Sequence, residues 1–285
     1  MLSKFTLGTV QLGKSYGINN KTGKPSKTEA FKILDYAYEN GIKSFDTAQV
    51  YGESEKIIGE WIKLNNIKDI YITTKIIDFD NFRINFDNSL NNLNLNKINN
   101  LLAHDYTYYR KNYDYVEDNI DYLKNNNFID SFGVSIYEPS ELLFLKERKI
   151  NTVQIPFNFF DNRFIKNNDL IFMKQNNVKI FSRSVFLQGL FFTDPHNLPK
   201  NLENASFYLE KLRNTVDNLK IDIKEFLFGY VLSNNIIDSI LFGVETLEQL
   251  KDNVKILNNL KYRNNFDYCD YTDSIPENII DPRKW

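Results

Sequence analysis

Eight short apolar runs, each followed by a longer amphipathic stretch, repeat from one end of this chain to the other. The runs are Phe5–Val10, Ser44–Asp46, Ile70–Thr74, Asn99–Ala103, Ser131–Val134, Thr152–Ile155, Lys179–Phe181 and Ser239–Phe242. Segments with helical periodicity lie near 28–40, 53–65, 83–94, 114–126, 138–147, 167–176, 205–219 and 246–258. In the first of these, Ala30, Ile33, Leu34 and Ala37 share one helix face, and Gly41 follows as a stop. Unbroken strand-then-helix units call for a parallel sheet. Eight of them predict a (β/α)8 TIM barrel, a single α/β domain over residues 1–285. An extra helical stretch at 222–234 precedes the last strand, and 261–285 is expected to form a tail outside the repeat. A doubly wound sheet is the competing arrangement. Gly8, Gly13 and Gly17 do not make its G-x-G-x-x-G fingerprint, and no Walker A pattern occurs.

Composition removes several classes of function. With 35 Lys+Arg against 37 Asp+Glu, the chain offers neither a nucleic-acid footprint nor a polybasic membrane anchor. A single cysteine, Cys269, rules out an intrachain disulfide framework and a Cys-rich zinc site. His104 and His196 are the only histidines, too few for a multi-His metal centre, and no metal is expected. No apolar run is long enough for a membrane span and no signal-peptide pattern opens the chain, so the expected location is cytoplasmic. Asparagine is abundant, as in Asn91-Asn92 and Asn125-Asn126-Asn127. Scattered among periodic apolar positions, it reads as a compositional bias rather than a prion-like tract.

In a barrel of this kind, chemistry sits at the C-terminal ends of the strands. The second run ends in Phe45-Asp46-Thr47-Ala48 and leads into Tyr51-Gly52-Glu53-Ser54-Glu55. The third ends in Thr73-Thr74-Lys75, and the fourth in Ala103-His104-Asp105. Singly, each residue has a structural reading: Asp46 as a helix cap, Tyr51 in packing, Lys75 as a rim charge, His104 as a core histidine. Together at adjacent strand ends they make an acid catalyst. A phenol ordinarily titrates near 10; Lys75 beside it is expected to lower that value, with Asp46 keeping the lysine charged and His104 orienting a substrate oxygen.

These residues resemble the aldo-keto reductase family over nearly the whole chain. The resemblance rests on Asp46-Thr47-Ala48 with Tyr51-Gly52-Glu53-Ser54-Glu55, on Thr74-Lys75, on Ala103-His104-Asp105 and on Gly133-Val134-Ser135. Val153-Gln154 with Asn158, the segment Phe181–Leu190, and Gly243-Val244-Glu245-Thr246 with Gln249 and Asn253 extend it. It implies a metal-free enzyme that moves hydride between NADP(H), less often NAD(H), and a carbonyl compound. Asp46, Tyr51, Lys75 and His104 match the family's catalytic tetrad, with Tyr51 as the general acid. Ser135 and Gln154 match positions that hold the nicotinamide carboxamide. The cofactor-binding segment Arg183–Leu190 would run along the pyrophosphate, with Ser184, Phe186, Gln188 and Gly189 as its contacts. Gly243, Glu245, Gln249 and Asn253 match the adenosine end.

Three departures stand out. Ser135 is followed by Ile136 where many members have Asn, and Arg183 occupies the position of an aromatic that commonly stacks on the nicotinamide, where it could instead touch the substrate or the carboxamide. No cation stands in Gly243–Thr246 for a 2′-phosphate, and Glu245 could instead accept from a ribose hydroxyl. Lys251 or Lys200 could supply the missing charge, so NADP(H) is expected with NAD(H) as the alternative. Gln11, Tyr16, Gln49, Tyr106, Tyr108 and Arg110 form a polar substrate set suited to a sugar-derived carbonyl. Two other functions fit the same residues: a nicotinamide-nucleotide sensor with little turnover, and a lyase using Lys75 in a Schiff base.

Overall fold

Each expected run becomes a strand of one closed parallel sheet. The computed structural model describes residues 4–165, 167–260 and 275–285. Its strands are β1 (Phe5–Gly8), β2 (Ser44–Asp46), β3 (Tyr71–Ile76), β4 (Ile98–Ala103), β5 (Ile129–Ser135), β6 (Thr152–Pro156), β7 (Lys179–Arg183) and β8 (Ser239–Gly243). They pair in chain order, and β8 closes on β1 in the register Phe5↔Ile240 to Gly8↔Gly243. The fold is the (β/α)8 barrel, and it gathers all eight strand ends at one mouth.

Near the N-terminal ends of the strands the interior is filled by small polar side chains that satisfy one another. Thr6 Oγ1 lies 2.8 Å from Ser44 Oγ and 2.7 Å from Ser239 Oγ. Asn100 accepts from Ser131 Oγ at 2.8 Å and from Thr152 Oγ1 at 3.2 Å, and it donates to Thr73 Oγ1 at 3.4 Å. Outside the sheet, helices such as Lys27–Glu39 and Ser54–Asn65 bury the predicted stripe; Ala30, Ile33, Leu34 and Ala37 are fully covered. Ser26 caps the first by accepting from the Glu29 amide at 3.2 Å.

Asparagine has a local use at helix ends. Asn66 and Asn94 are C-caps at φ 49 and 51, in the left-handed region that asparagine tolerates better than most residues. Asn40, Asn112, Asn126 and Asn176 instead donate their side-chain amides to the carbonyl four residues back, at 2.8–2.9 Å. Both devices satisfy or turn the chain at helix ends whose last carbonyls lack partners.

The structure departs from the sequence reading in four places. β1 stops at Gly8: the Thr9 amide makes the last bond to β2, to the Asp46 carbonyl at 3.0 Å, and the chain then coils into a short helix, Val10–Gly13, whose Leu12 amide bonds the Thr9 carbonyl. The expected helix over 138–147 is only a 3₁₀ turn, Pro139–Glu141, followed by Leu142–Leu145. Asp105 caps an additional helix, Tyr106–Lys111. Of the expected tail, 261–274 and with it Cys269 lie outside the described residues; Glu277–Ile280 and Pro282–Lys284 are helical and pack back on the barrel. Ile279 and Ile280 join Leu187, Leu190 and Phe191 in a second apolar cluster, which ties the loop after β7 to this C-terminal segment. No helix among the described residues is long and apolar enough to cross a membrane.

Candidate active site

Tyr51 sits in the turn after β2, and two glycines let that turn approach the Val10–Gly13 helix. A Cβ on Gly13 would fall 1.6 Å from the Tyr51 carbonyl oxygen. Gly52 adopts φ +61, and a Cβ there would fall 2.5 Å from the Gly13 carbonyl oxygen. The next two residues lock the turn from below. Ser54 Oγ lies 2.7 Å from Thr9 Oγ1 and accepts from Thr47 Oγ1 at 2.9 Å. The buried Glu55 accepts from Thr74 Oγ1 at 2.6 Å and Asn92 Nδ2 at 3.3 Å. Much of the Tyr-Gly-x-Ser-Glu motif is therefore scaffold for the tyrosine.

Lys75, only 1% exposed, lies beneath the mouth. Its ammonium is ion-paired with Asp46 Oδ1 and donates to the Thr47 carbonyl at 3.1 Å and to Tyr51 Oη at 3.3 Å. All three N–H donors of the group are thus committed. The second oxygen of Asp46 accepts from Gln154 Nε2 at 2.8 Å, so the amide nitrogen of Gln154 braces the carboxylate. Burial lowers the Lys75 pKa from its ordinary value, and the Asp46 charge opposes that shift.

The expectation of a lowered Tyr51 pKa is overturned. Burial, reinforced by the negative charge of Asp46, pushes the phenol well above its ordinary value. The Lys75 ammonium that was to lower it is shared between Asp46 and Tyr51, and the Asp46 charge works against it. Because Lys75 donates to Tyr51 Oη, the phenolic hydrogen is left free to point elsewhere. His104 meets the Tyr51 ring edge-on, with centroids 5.8 Å apart. Burial and the charges of Lys75, Arg183 and Lys14 depress its pKa to about 3, so the imidazole is neutral at physiological pH. Its Nδ1 is buried without a partner.

Of the residues matched to the family's catalytic and cofactor positions, all except Lys75 line one cavity of about 630 Å³. Ser135 and Gln154 are register partners on β5 and β6. Beyond β7 the chain takes left-handed φ at Ser184 (64), Leu187 (45), Gln188 (52) and Gly189 (91), forming a concave loop along the cavity wall. The Gln188 carbonyl pins this loop by accepting from the Ile18 amide at 3.1 Å, and Phe186 packs against Phe228. Gly243 faces Gln11, whose Oε1 is buried and unpartnered. In the helix Leu247–Leu260, Gln249 and Asn253 are one turn apart on the cavity side. Gln249 accepts from the Glu245 amide at 2.8 Å, burial raises the Glu245 pKa, and Asn253 Oδ1 is buried with no partner.

Arg183 donates to the Ile136 carbonyl at 3.1 Å and lies over the Tyr137 ring, 4.0 Å from its centroid. Of the polar substrate set, Gln11 and Tyr16 line the cavity. Gln49 turns away to Ser89 and the Asn85 carbonyl, Tyr106 packs on Phe144, and Tyr108 and Arg110 are exposed elsewhere. Lys200 and Lys251 are exposed and line no part of the cavity. Lys14, Tyr137, Lys224 and Arg283 do line it, and sequence reasoning missed them. Only topology reveals Lys224 and Arg283, which stand on the extra helix before β8 and on the C-terminal segment. Tyr137, two residues past β5, and Lys14, beyond the short helix that follows β1, are the two that strand-end reasoning could have found.

The model of the Aldo/keto reductase family matches residues 4–273. The Bacillus subtilis protein described as uncharacterized oxidoreductase YqkF is 26% identical over 284 residues, covering 90% of this chain and 92% of that protein. Norsolorinic acid reductase B of Aspergillus parasiticus is 42% identical over 77 residues, a stretch covering 26% of this chain and 20% of the relative. Among solved structures, the holo form of aldo-keto reductase AKR11C1 from Bacillus halodurans superposes with a TM-score of 0.72 at 20% identity, covering 90% of this chain and 87% of that one. With the same barrel and a family match over almost its full length, this chain belongs to the aldo/keto reductase family.

Proposed function

We propose that this chain reduces an aldehyde or ketone to an alcohol, with Tyr51 as the general acid and NADP(H) as the hydride donor. One observation carries the assignment: Lys75 donates to Tyr51 Oη at the cavity wall, leaving a protonated phenol whose hydrogen is free for a ligand. The remaining cavity fits a dinucleotide. Its volume lies within the range of about 300–1,000 Å³ typical of small-molecule sites. Its concave left-handed loop suits an anion, and the unpartnered Asn253 Oδ1 is an acceptor awaiting a donor such as an adenine amino group.

Ser184, Gln188 and Gly189 would hold the pyrophosphate, Ser135 and Gln154 the nicotinamide carboxamide, and Gln249 and Asn253 the adenine end. When bound, the nicotinamide supplies the hydride. Tyr51 gives its proton to the carbonyl oxygen, and the Lys75 ammonium stabilises the phenolate as it forms. Neutral His104 donates its ring N–H to that oxygen and orients it without carrying charge. Asp46, held by Lys75 and Gln154, keeps the lysine protonated.

Lys224 favours NADP(H) over NAD(H). It reaches the cavity from the helix Ile223–Leu232 and lies 3.9 Å from Asp252, beside Asn253, which brings a cation to the adenosine side. Glu245 pulls toward NAD(H). Of the polar set that suggested a sugar-derived carbonyl, Gln11 and Tyr16 line the cavity, and a hydroxyl-bearing substrate rests on those two alone. A Schiff-base role for Lys75 is disfavoured because its ammonium is saturated by three acceptors and lies outside the cavity lining.

The test is Tyr51→Phe, assayed by NADPH consumption over a panel of aldehydes. Turnover should fall by about 10²–10⁴-fold, the usual contribution of a general acid, with NADPH affinity unchanged. Undiminished turnover would remove Tyr51 as the acid. Cofactor binding with no turnover in the unaltered protein would make the chain a sensor.

A further inference from the structure

Three arginines stand at the rim around Tyr137, and they differ in one respect. Arg163 is paired with Asp161 and Glu138, and Arg283 with Asp281 and Glu138. Arg183, half-buried and lining the cavity, has no carboxylate within 4.0 Å among the described residues. Its guanidinium is nevertheless held in place. Nη2 donates to the Ile136 carbonyl at 3.1 Å, Nη1 to Ser184 Oγ at 3.4 Å, and the plane packs on Tyr137. A guanidinium has five N–H groups, so these two bonds leave three uncommitted.

The acids that line the cavity do not compensate this charge. Asp46 is occupied by Lys75 and Gln154, and the Glu245 carboxylate accepts from Gln249 Nε2 at 3.4 Å next to the helix Leu247–Leu260. Lys14, also without a carboxylate partner among the described residues, adds a second positive charge 5.9 Å from the Tyr51 ring centroid. The side of the cavity that carries Tyr51 and His104 is therefore net positive, and the Arg183 charge is felt at both rings. A half-buried, immobilised and unpaired cation is costly to keep unless a bound anion completes it.

We propose that Arg183 is a substrate-binding residue that grips a carboxylate on the carbonyl compound, with Lys14 as a weaker second cation. The preferred substrate is an oxo acid. A planar, pre-positioned guanidinium matches a carboxylate through two parallel N–H···O bonds, and three free donors suit a monoanion. The inference rests on the carbonyl-reduction assignment and narrows its substrate class.

The test compares para-carboxybenzaldehyde with its methyl ester, and the oxo acid succinic semialdehyde with its methyl ester, in NADPH-dependent kinetics. The unaltered protein should favour each acid over its ester in kcat/KM by about tenfold to hundredfold, the range of a charge-assisted bidentate contact. Arg183→Met should bring that ratio close to one, and Arg183→Lys should restore part of it through charge alone. A purely structural Arg183 would lower acid and ester together and leave the ratio unchanged, which overturns the proposal. So does an unaltered protein with no preference for the acid.

Calorimetric binding of para-carboxybenzyl alcohol against its methyl ester gives a readout independent of turnover. Acid-selective binding lost in Arg183→Met supports the anion site even if no aldehyde is reduced, in which case only the assigned reaction falls. Equal binding of acid and ester contradicts the anion site itself.

Discussion

The interior of this barrel is polar at two levels, and the two levels are built differently. Toward the N-terminal strand ends, the hydroxyls of Thr6, Ser44 and Ser239 meet one another, and Asn100 gathers Thr73, Ser131 and Thr152. At the mouth, Asp46, Lys75, Tyr51 and Gln154 are equally well connected, yet Gln11 Oε1, His104 Nδ1 and Asn253 Oδ1 are buried at the cavity wall with no partner. A closed polar network fixes strand register and contributes to one folded state. Buried polar atoms left open cost stability unless something else completes them. Burial and polarity alone do not separate these two networks; unfilled valences do, although Arg148 Nε, Asn158 Nδ2 and Arg213 Nε are buried without partners away from the cavity as well.

Breaking each network should have a different signature. Asp46→Asn leaves the Lys75 ammonium buried with only neutral acceptors. It should cost about 3–5 kcal/mol in urea unfolding and abolish turnover, because mouth chemistry and mouth stability share this pair. Asn100→Ala, below the mouth, should cost about 1–3 kcal/mol while turnover stays near that of the unaltered chain. A large loss of turnover in a stably folded Asn100→Ala protein would mean that the two levels are not separable.

His104 sharpens the contrast through pH. Its pKa falls from 6.5 to about 3 on folding, so the folded chain binds fewer protons than the unfolded one between those values. The neutral imidazole's contribution is fully present above pH 6.5 and is lost as pH falls toward 3, by up to about 1.4 kcal/mol per pH unit. His104→Gln should remove that part of the acid sensitivity. In kinetics, neither Tyr51 nor His104 titrates near neutrality, so kcat/KM should show no histidine limb between pH 5 and 8. A limb near pH 6.5 that vanishes in His104→Gln would contradict a neutral imidazole.

Periodicity made the barrel legible because each strand had to be apolar on its helix-facing side, and every expected run became a strand with ends shifted by a few residues. Short elements were less visible. Val10–Gly13 and Tyr106–Lys111 are too brief for a helical period and form because Thr9 and Asp105 bond locally. The motif placed Asp46, Tyr51 and His104 at one mouth but did not reveal that Lys75 lies beneath it, nor that burial would raise the tyrosine pKa. Those are properties of three-dimensional enclosure, not of spacing. Arg283 and Lys224 were illegible for a related reason. Each comes from a segment outside the eightfold repeat, and only chain folding brings it to the cavity.

The most direct test of a dinucleotide-dependent reductase mouth is a pair of fluorescence titrations of the unaltered protein with NADPH and NADH, repeated on Lys224→Met. The expected result is saturable binding below millimolar concentration, tighter for NADPH, with the difference narrowed by loss of Lys224. Tighter NADH binding would assign the adenosine end to Glu245. Absence of binding by either nucleotide at millimolar concentration would contradict the reductase assignment itself.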